Sequence, residues 1–280
     1  MSTSVDQSFV KQFEREFHLE FQKKITNLRG FVRVKSGVVG ESTTVQKIGS
    51  AGTMVSKARH GIVPAADVDH TPVLITLQDK YAAEDVDKLD ELKVMHDERA
   101  AMIASLTASA KRQVDDFITV AMDATSTAVG GASGAMTLTK ALDAFKTIGE
   151  NSAIEGGNMY AAVSFHAWAQ MLGIDAFVNS DYVGPDRIPF PTGGMGGRQW
   201  LGALWFPMNG LPLSGNDRSC FYWNSNAACL AIGADESTDI WWNGERQAHR
   251  ITVSLSMGAE VIDVLGVGEF LVDESTALPT

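Results

Sequence analysis

The segment from Asp85 to Asp123 constrains the fold of this 280-residue chain more than any other part of it. Its apolar side chains recur three and four positions apart, and charged side chains fill the opposite face, which is the pattern of an amphipathic helix. The segment contains no proline, so nothing in it forces a break. One helix of this length would be about 60 Å long, which predicts an element that spans a domain or a flat subunit.

A second amphipathic helix is predicted over residues 5–28. Its apolar face is marked by Phe9, Phe13, Phe17, Phe21, Ile25 and Leu28. Such a stripe can pack on the core of its own chain or dock on a neighbouring subunit, and the sequence leaves both open.

Residues 36–80 change to short β-rich runs separated by glycine and proline, which indicates a long hairpin. The segment concentrates too few apolar residues for a core of its own, so we expect it to be stabilised mainly by other subunits. Between Phe31 and Lys80 the predicted strands are Phe31–Val34, Thr43–Ile48, Thr53–Val55 and Val73–Leu77. At the predicted tip, Lys57, Arg59 and His60 are candidate interface residues that would contact acidic groups on a neighbour.

The rest of the chain alternates helices and strands, which predicts an α+β fold with two interleaved subdomains. Further helices are expected at Leu138–Ile148, ended by Gly149, and from a cap at Ser164 through Leu172. Strands are expected at Tyr160–Val163, Leu201–Phe206 and Cys220–Ile232, and two more at the C-terminal end, separated by a glycine corner at Gly258.

Charge is unevenly distributed along the chain. The net charge is −11, yet residues 1–35 hold seven basic and four acidic side chains, so they carry +3 and the remainder carries −14. An acidic body cannot present the continuous basic face that specific nucleic-acid binding needs. Only the first segment could approach DNA, and Lys23, Lys24 and Arg29 are its candidate contacts. Alternatively, these side chains only solvate the polar face of the first helix.

Several classes of function are disfavoured by what the sequence lacks. It has no apolar run long enough for a transmembrane helix and no signal-peptide pattern, which favours a cytoplasmic protein. Cys220 and Cys229 are interpreted as reduced, buried thiols. No metal-binding, nucleotide-binding or nucleophile motif is present, so no cofactor is expected. Gly193–Arg198 is interpreted as a mobile surface loop, and Trp241 and Trp242 as one core and one interface residue.

Several strings together resemble the major capsid proteins of tailed bacteriophages. They are Asp85–Leu92, Ala110–Asp116, Ala161–Leu172, Phe177–Tyr182, Leu201–Phe206, Asn226–Gly233 and Ser256–Asp263. Each string is short, but their order matches that family over roughly residues 30–275, with a long spine helix, an extended β-hairpin loop and interleaved peripheral and axial domains.

The resemblance implies four parts of the chain. These are an N-terminal arm (1–35), an extended loop (36–80), a peripheral domain (81–155 and 240–257) and an axial domain (156–239 and 258–280). It implies pentamers and hexamers of an icosahedral shell around double-stranded DNA, which the shell contacts only weakly and without sequence preference. A separate scaffolding protein, a portal, assembly in the host cytoplasm and residence in the virion are further expectations, and no membrane is involved.

Two other functions are compatible with the sequence. The first is a bacterial nanocompartment shell of the same fold. The second is an α/β enzyme with a site near His166, Asp175 and Asp181. The resemblance favours a structural protein that is not an enzyme.

Overall fold

The structure is a computed structural model that describes residues 22–23, 25–52, 54–63, 65, 68–91, 97–154, 157–178 and 197–278. The chain divides into two compact units. The first holds the described residues up to Ile25 together with Lys80–Arg112 and Glu236–Leu255. The second holds the described parts of Thr26–Asp79, Gln113–Asp235 and the chain from Ser256 onward.

Helices and strands are both abundant, which confirms the α+β prediction. The helices of the described residues are α1 (Lys88–Glu91), α2 (Glu98–Ala124), α3 (Leu138–Glu150), α4 (Phe165–Met171) and α5 (Asp175–Val178). The strands are β1 (Arg33–Ser36), β2 (Ser42–Ile48), β3 (His70–Thr76), β4 (Gln78–Asp87), β5 (Thr127–Ala128), β6 (Met159–Val163), β7 (Arg198–Trp200), β8 (Ala203–Pro207), β9 (Leu213–Ser214), β10 (Asp217–Asn224), β11 (Ala228–Asn243), β12 (Ala248–Val261) and β13 (Val267–Asp273). None of the described helices combines the length and apolar character needed to cross a membrane.

The long helix is shorter than predicted. Residues 85–87 belong to β4, where Asp85 forms ion pairs with Arg246 and Arg250 at 2.6 and 3.8 Å, and α2 begins only at Glu98. The Asp97 carboxylate accepts the amide N–H of Ala100 at 3.1 Å, as a cap at a helix start does. From Glu98 onward the helix is unbroken for 27 residues, about 40 Å. The predicted continuity past Lys111 is therefore confirmed, and the predicted start is wrong.

The end of the predicted first helix is also wrong. Residues 1–21 and 24 lie outside the described residues, but residues 25–28 are not helical, and a single 3₁₀ turn follows at Arg29–Phe31. The buried carboxylate of Asp115 on α2 accepts the amide N–H groups of Asn27 and Leu28 at 3.0–3.1 Å. Those amides are therefore not available for helical hydrogen bonds.

The larger sheet has seven strands in the order β5-β13-β10-β6-β8-β7, and β9 pairs with β10. Its centre is β10, whose residues Cys220–Trp223 are almost fully buried. The predicted strand Cys220–Ile232 is in fact two strands, β10 and β11. A turn at residues 225–227 separates them, in which the Asn224 side-chain oxygen accepts the amide N–H of Asn226 and the Asn224 carbonyl accepts that of Ala227.

A second sheet has the order β1-β11-β12-β4, and β2 pairs with β3 as a separate antiparallel hairpin. The strands β2 and β3 confirm the predicted strands Thr43–Ile48 and Val73–Leu77, and β1 overlaps the end of the predicted strand Phe31–Val34. The predicted strand Thr53–Val55 is wrong at Met54 and Val55, which lie in no strand, and Thr53 lies outside the described residues. The predicted corner at Gly258 is wrong, because β12 runs through that position from Ala248 to Val261. Of the predicted caps, Ser164 begins α4 as expected, whereas Gly149 lies within α3.

Candidate assembly surfaces

The base of the extended loop packs on its own chain. Val45 of β2 and Ile75 of β3 are buried together with Cys229, Ala231 and Ile262. The expectation that residues 36–80 depend mainly on other subunits is therefore wrong for the hairpin base. The β-branched residues that alternate along β2 and β3 direct one face inward, and that face meets apolar residues distant in sequence.

Polar contacts and two glycines fix the position of this base. The Lys47 ammonium lies 2.8 Å from the Asp263 carboxylate, and the Leu77 amide donates to the carbonyl of Glu41 at 2.8 Å. A Cβ at Gly258 would lie 2.1 Å from the Thr76 carbonyl oxygen, and one at Gly233 would lie 2.7 Å from Leu77 Cδ1. Gly258 is therefore required for close packing rather than for a turn.

Beyond the base, the loop tip (residues 54–63) is exposed. Lys57, Arg59 and His60 all lie in it with exposed side chains, as do the apolar residues Met54 and Ile62. A turn closes it, in which the Gly61 amide donates to the Ala58 carbonyl at 2.9 Å and the intervening His60 has a φ of 64°. Three candidate interface residues are thus brought together on a solvent-accessible turn.

The candidate DNA contacts of the arm are differently placed. Lys23 is half-buried, and Lys24 lies outside the described residues. The Arg29 guanidinium makes a bidentate ion pair with Asp235, with Nη1–Oδ1 and Nη2–Oδ2 distances of 3.0 and 2.6 Å. The charge of Arg29 is therefore largely balanced within the chain.

An exposed acidic and aromatic strand was not anticipated from the sequence. β1 pairs with β11 only as far as Ile232, and every residue from Gly233 to Trp242 is exposed. We call this stretch the exposed strand. It carries the acids Asp235, Glu236 and Asp239 and the apolar residues Ile240, Trp241 and Trp242. The sequence feature that could have revealed this exposed strand is the run of acidic residues next to two consecutive tryptophans.

The two tryptophans of the exposed strand do not divide between core and surface. Trp241 and Trp242 are 46% and 42% exposed, so the assignment of one of them to the core is wrong. Trp242 packs edge-on against His249 with ring centroids 4.9 Å apart. Successive side chains of a strand point to opposite faces, so the exposure of both tryptophans shows that each face of β11 is accessible at this position.

Arg198 lies in β7 and is only 5% exposed. Its guanidinium carbon lies 4.5 Å from the centroid of the Phe177 ring. The interpretation of Gly193–Arg198 as a surface loop is therefore wrong at Arg198. Residues 193–196 lie outside the described part of the chain.

The residues of the enzyme alternative form no catalytic arrangement in the described structure. His166 Nε2 lies 3.1 Å from the Thr276 carbonyl oxygen and 3.0 Å from Gln170 Nε2, so it ties α4 to the C-terminal segment. Asp175 begins α5, and Asp181 lies outside the described residues. The described residues contain no group of side chains that could hold a metal ion. Burial raises the pKa of the Cys220 thiol to about 12, so it stays protonated and unreactive near neutral pH.

A family model for phage capsid proteins matches residues 5–274. The chain belongs to this family. It is a major capsid protein, a structural subunit of the virion that assembles with its own copies into a shell, and not an enzyme. A search of curated proteins finds no sequence match to the chain.

Solved capsid structures share the fold of this capsid protein at low sequence identity. The capsid structure of the cyanophage P-SCSP1u has a TM-score of 0.75 at 14% identity, covering 98% of this chain and 96% of that one. Mycobacterium phage Che8 gives 0.70 at 17% identity over 96% and 99% of the two chains. The capsid of Ralstonia phage GP4 gives 0.69 at 9% identity over 100% of both. The predicted phage capsid fold is confirmed.

Proposed function

We propose that this capsid protein forms the pentamers and hexamers of an icosahedral shell that encloses double-stranded DNA. The supporting observation is an exposed basic turn carried on a firmly packed hairpin base. We further propose the division into an arm (1–35), an extended loop (36–80), a peripheral domain (81–155 and 240–257) and an axial domain (156–239 and 258–280). The family match does not favour the bacterial nanocompartment.

The extended loop makes the main lateral contact in this proposal. The loop tip of one copy, with Lys57, Arg59 and His60, lies against the exposed strand of a neighbour, which is acidic and partly apolar. Opposite charges select the pairing and its register, whereas the apolar side chains Met54 and Ile62 supply buried area against the tryptophans. Each such contact is weak in isolation, but a closed shell repeats it in every copy.

The arm is proposed to lie on the inner, DNA-facing side of the shell. Packaged DNA is a dense polyanion that an acidic wall repels, and residues 1–35 carry the excess positive charge. Lys23 and Lys24 supply the contact, and Arg29 contributes less because Asp235 balances it. Contacts of this kind are screened beyond about 8 Å, so the interaction is weak and independent of sequence.

Assembly is proposed to require two other proteins and to take place in the host cytoplasm. Identical subunits that bind one another through the same surfaces can close with different curvatures. A separate scaffolding protein would select one curvature, and a portal would provide the single opening through which DNA enters.

The test of this function is electron microscopy and sedimentation of the purified full-length chain. We expect closed megadalton particles from the wild type and at least tenfold fewer from Arg59→Glu, with unchanged circular dichroism of the subunit. Lys146→Glu is the matched control, because it makes the same charge change on an exposed helical side chain. Pairing Arg59→Glu with Asp239→Arg should restore particles if the two residues meet. A wild-type protein that stays monomeric or dimeric would overturn the proposal.

A further inference from the structure

One ring nitrogen of His166, near the start of α4, lies between two groups of opposite hydrogen-bonding character. Its Nε2 is 3.0 Å from the side-chain nitrogen of Gln170 and 3.1 Å from the carbonyl oxygen of Thr276. The amide nitrogen can only donate a hydrogen bond, and the carbonyl oxygen can only accept one. The His166 nitrogen cannot bond to both, because it either carries a proton or presents a lone pair.

The orientation of the Gln170 amide is fixed by two further contacts. Its Oε1 accepts the backbone N–H of Met136 at 2.6 Å, and its Nε2 donates to the Thr276 hydroxyl at 2.8 Å. Turning the amide over would set its N–H groups against the N–H of Met136. Because Gln170 is only 3% exposed, that arrangement would bury two opposed donors. The nitrogen of Gln170, and not its oxygen, therefore faces His166.

The bonding partner of His166 consequently depends on protonation. A neutral ring with its proton on Nδ1 presents a lone pair at Nε2, which accepts the N–H of Gln170 and is repelled by the Thr276 carbonyl. Gln170 favours this neutral form over the one protonated on Nε2, because its amide is held in place on two sides. In the cation both nitrogens carry protons, so Nε2–H donates to the Thr276 carbonyl.

Charged groups near the ring also attract the cation toward the end of the chain. Asp273 at the end of β13 and the neighbouring Glu274 both interact electrostatically with His166. Glu274 is paired with Arg218 of β10, and Asp273 is also attracted by Lys140 of α3. The structure describes the whole of α4, and no other residue of this helix is charged. Protonation of the ring therefore adds attraction to the segment that contains Thr276.

The two carboxylates stay ionised while an imidazole changes its charge. Hydrogen bonds from Ser275 hold the pKa of Asp273 below its ordinary value, and hydrogen bonds from Arg218 do the same for Glu274. An imidazole titrates between about pH 5 and 8, which is above the range of such carboxylates. A change of bonding in this pH range is therefore expected to originate at His166.

We propose that His166 controls the attachment of the C-terminal segment (residues 274–278) to α4 according to pH. A proton on the ring moves the hydrogen bond of Nε2 from Gln170 to the Thr276 carbonyl, so the segment is held more firmly as pH falls. The Arg218–Glu274 ion pair holds the start of the segment in both states. The change therefore affects Thr276 and the residues after it, and it is a property of the single subunit that does not depend on the proposed shell.

The decisive experiment is an NMR titration of the unassembled full-length subunit. We expect the carbonyl carbon of Thr276 and the Nε2 of His166 to titrate with one midpoint between about pH 5 and 8. Over the same range, exchange of the Ala277 and Leu278 amides, corrected for its intrinsic dependence on pH, should slow about fivefold on acidification, as the gain of one hydrogen bond implies. A Thr276 carbonyl that does not titrate would overturn the proposal.

A pair of variants and one mutation-free measurement separate this role from a merely structural one. His166→Gln keeps a neutral donor and acceptor, so it should abolish the titration of the Thr276 carbonyl. His249→Gln, which removes the histidine that packs on Trp242, should leave that titration unchanged. Persistence of the titration in His166→Gln would reject the proposal. The ring nitrogens of the wild type provide the second test, because a proton found on Nε2 in the neutral ring would mean that the Thr276 bond exists at every pH.

Discussion

Gly258 and the carbonyl group of Thr76 are so close that a Cβ at position 258 would lie 2.1 Å from the Thr76 oxygen. The contact joins β12 to the end of β3, and a few residues away Gly233 makes similar room for Leu77. The base of the extended loop therefore rests on positions that tolerate no side chain. This contact holds the end of β3 against β12.

Gly258→Ala should destabilise the subunit by about 1–3 kcal/mol, because the added methyl group must displace the backbone of Thr76. Urea unfolding of the unassembled subunit measures the change. Gly30→Ala is the control, since a Cβ at Gly30 meets nothing within 4 Å. If the two variants unfold at the same urea concentration, the close contact does not exist.

Asp115→Ala should cost about 1–3 kcal/mol of stability, because it removes the acceptor of the half-buried Asn27 amide and the buried Leu28 amide. The amides of these two residues should also exchange with solvent faster, which hydrogen exchange detects directly. Asp123→Ala, a change at an exposed position of the same helix, should leave both quantities unchanged. Unaltered exchange in Asp115→Ala would show that the carboxylate does not hold this part of the arm.

The Arg218–Glu274 pair predicts a specific loss of stability in acid. Hydrogen bonds from Arg218 are the main reason that the pKa of Glu274 lies below its ordinary value. A carboxyl group with a lowered folded-state pKa stabilises the fold above its unfolded pKa of about 4.3 and loses that contribution as pH falls through the folded pKa. Glu274→Gln should therefore flatten the dependence of unfolding free energy on pH below about 4.3, whereas Glu150→Gln at an exposed position should not. An unchanged slope in Glu274→Gln would contradict the pairing.

Replacing the arm cations should weaken the hold of the shell on DNA without preventing assembly. In Lys23→Gln/Lys24→Gln/Arg29→Gln shells, we expect empty particles in normal number and less DNA retained by ruptured particles at low salt. The double variant Lys23→Gln/Lys24→Gln keeps the Arg29–Asp235 ion pair and so separates DNA contact from the loss of that pair. Lys146→Gln shows the effect of losing one positive charge outside the arm. DNA retention equal to wild type at every salt concentration would rule out an inner-facing role.

Local patterns in the sequence determined several of the main elements correctly, although not where each of them begins or ends. The period of apolar residues in α2 predicted an unbroken helix past Lys111, and the alternation in β2 and β3 predicted the hairpin. Ser164 marked the start of α4, because its hydroxyl accepts the amide N–H of Ala167. The order of these elements was sufficient to recognise the family, since a family resemblance depends on sequence order and not on contacts.

What only the tertiary structure decided depends on partners far away in the sequence. The extended conformation at Asp85 accompanies ion pairs with residues 161 and 165 positions later, and the non-helical backbone at Leu28 accompanies the carboxylate of Asp115. From the sequence, Gly258 was predicted to form a corner, but in the structure it allows close packing against Thr76. Arg198 was predicted to lie in a surface loop, but in the structure it is buried against the Phe177 ring. Periodicity reports which face of an element is buried, but it carries no information about which distant group occupies that face. That choice is made by packing and hydrogen bonding across the folded chain.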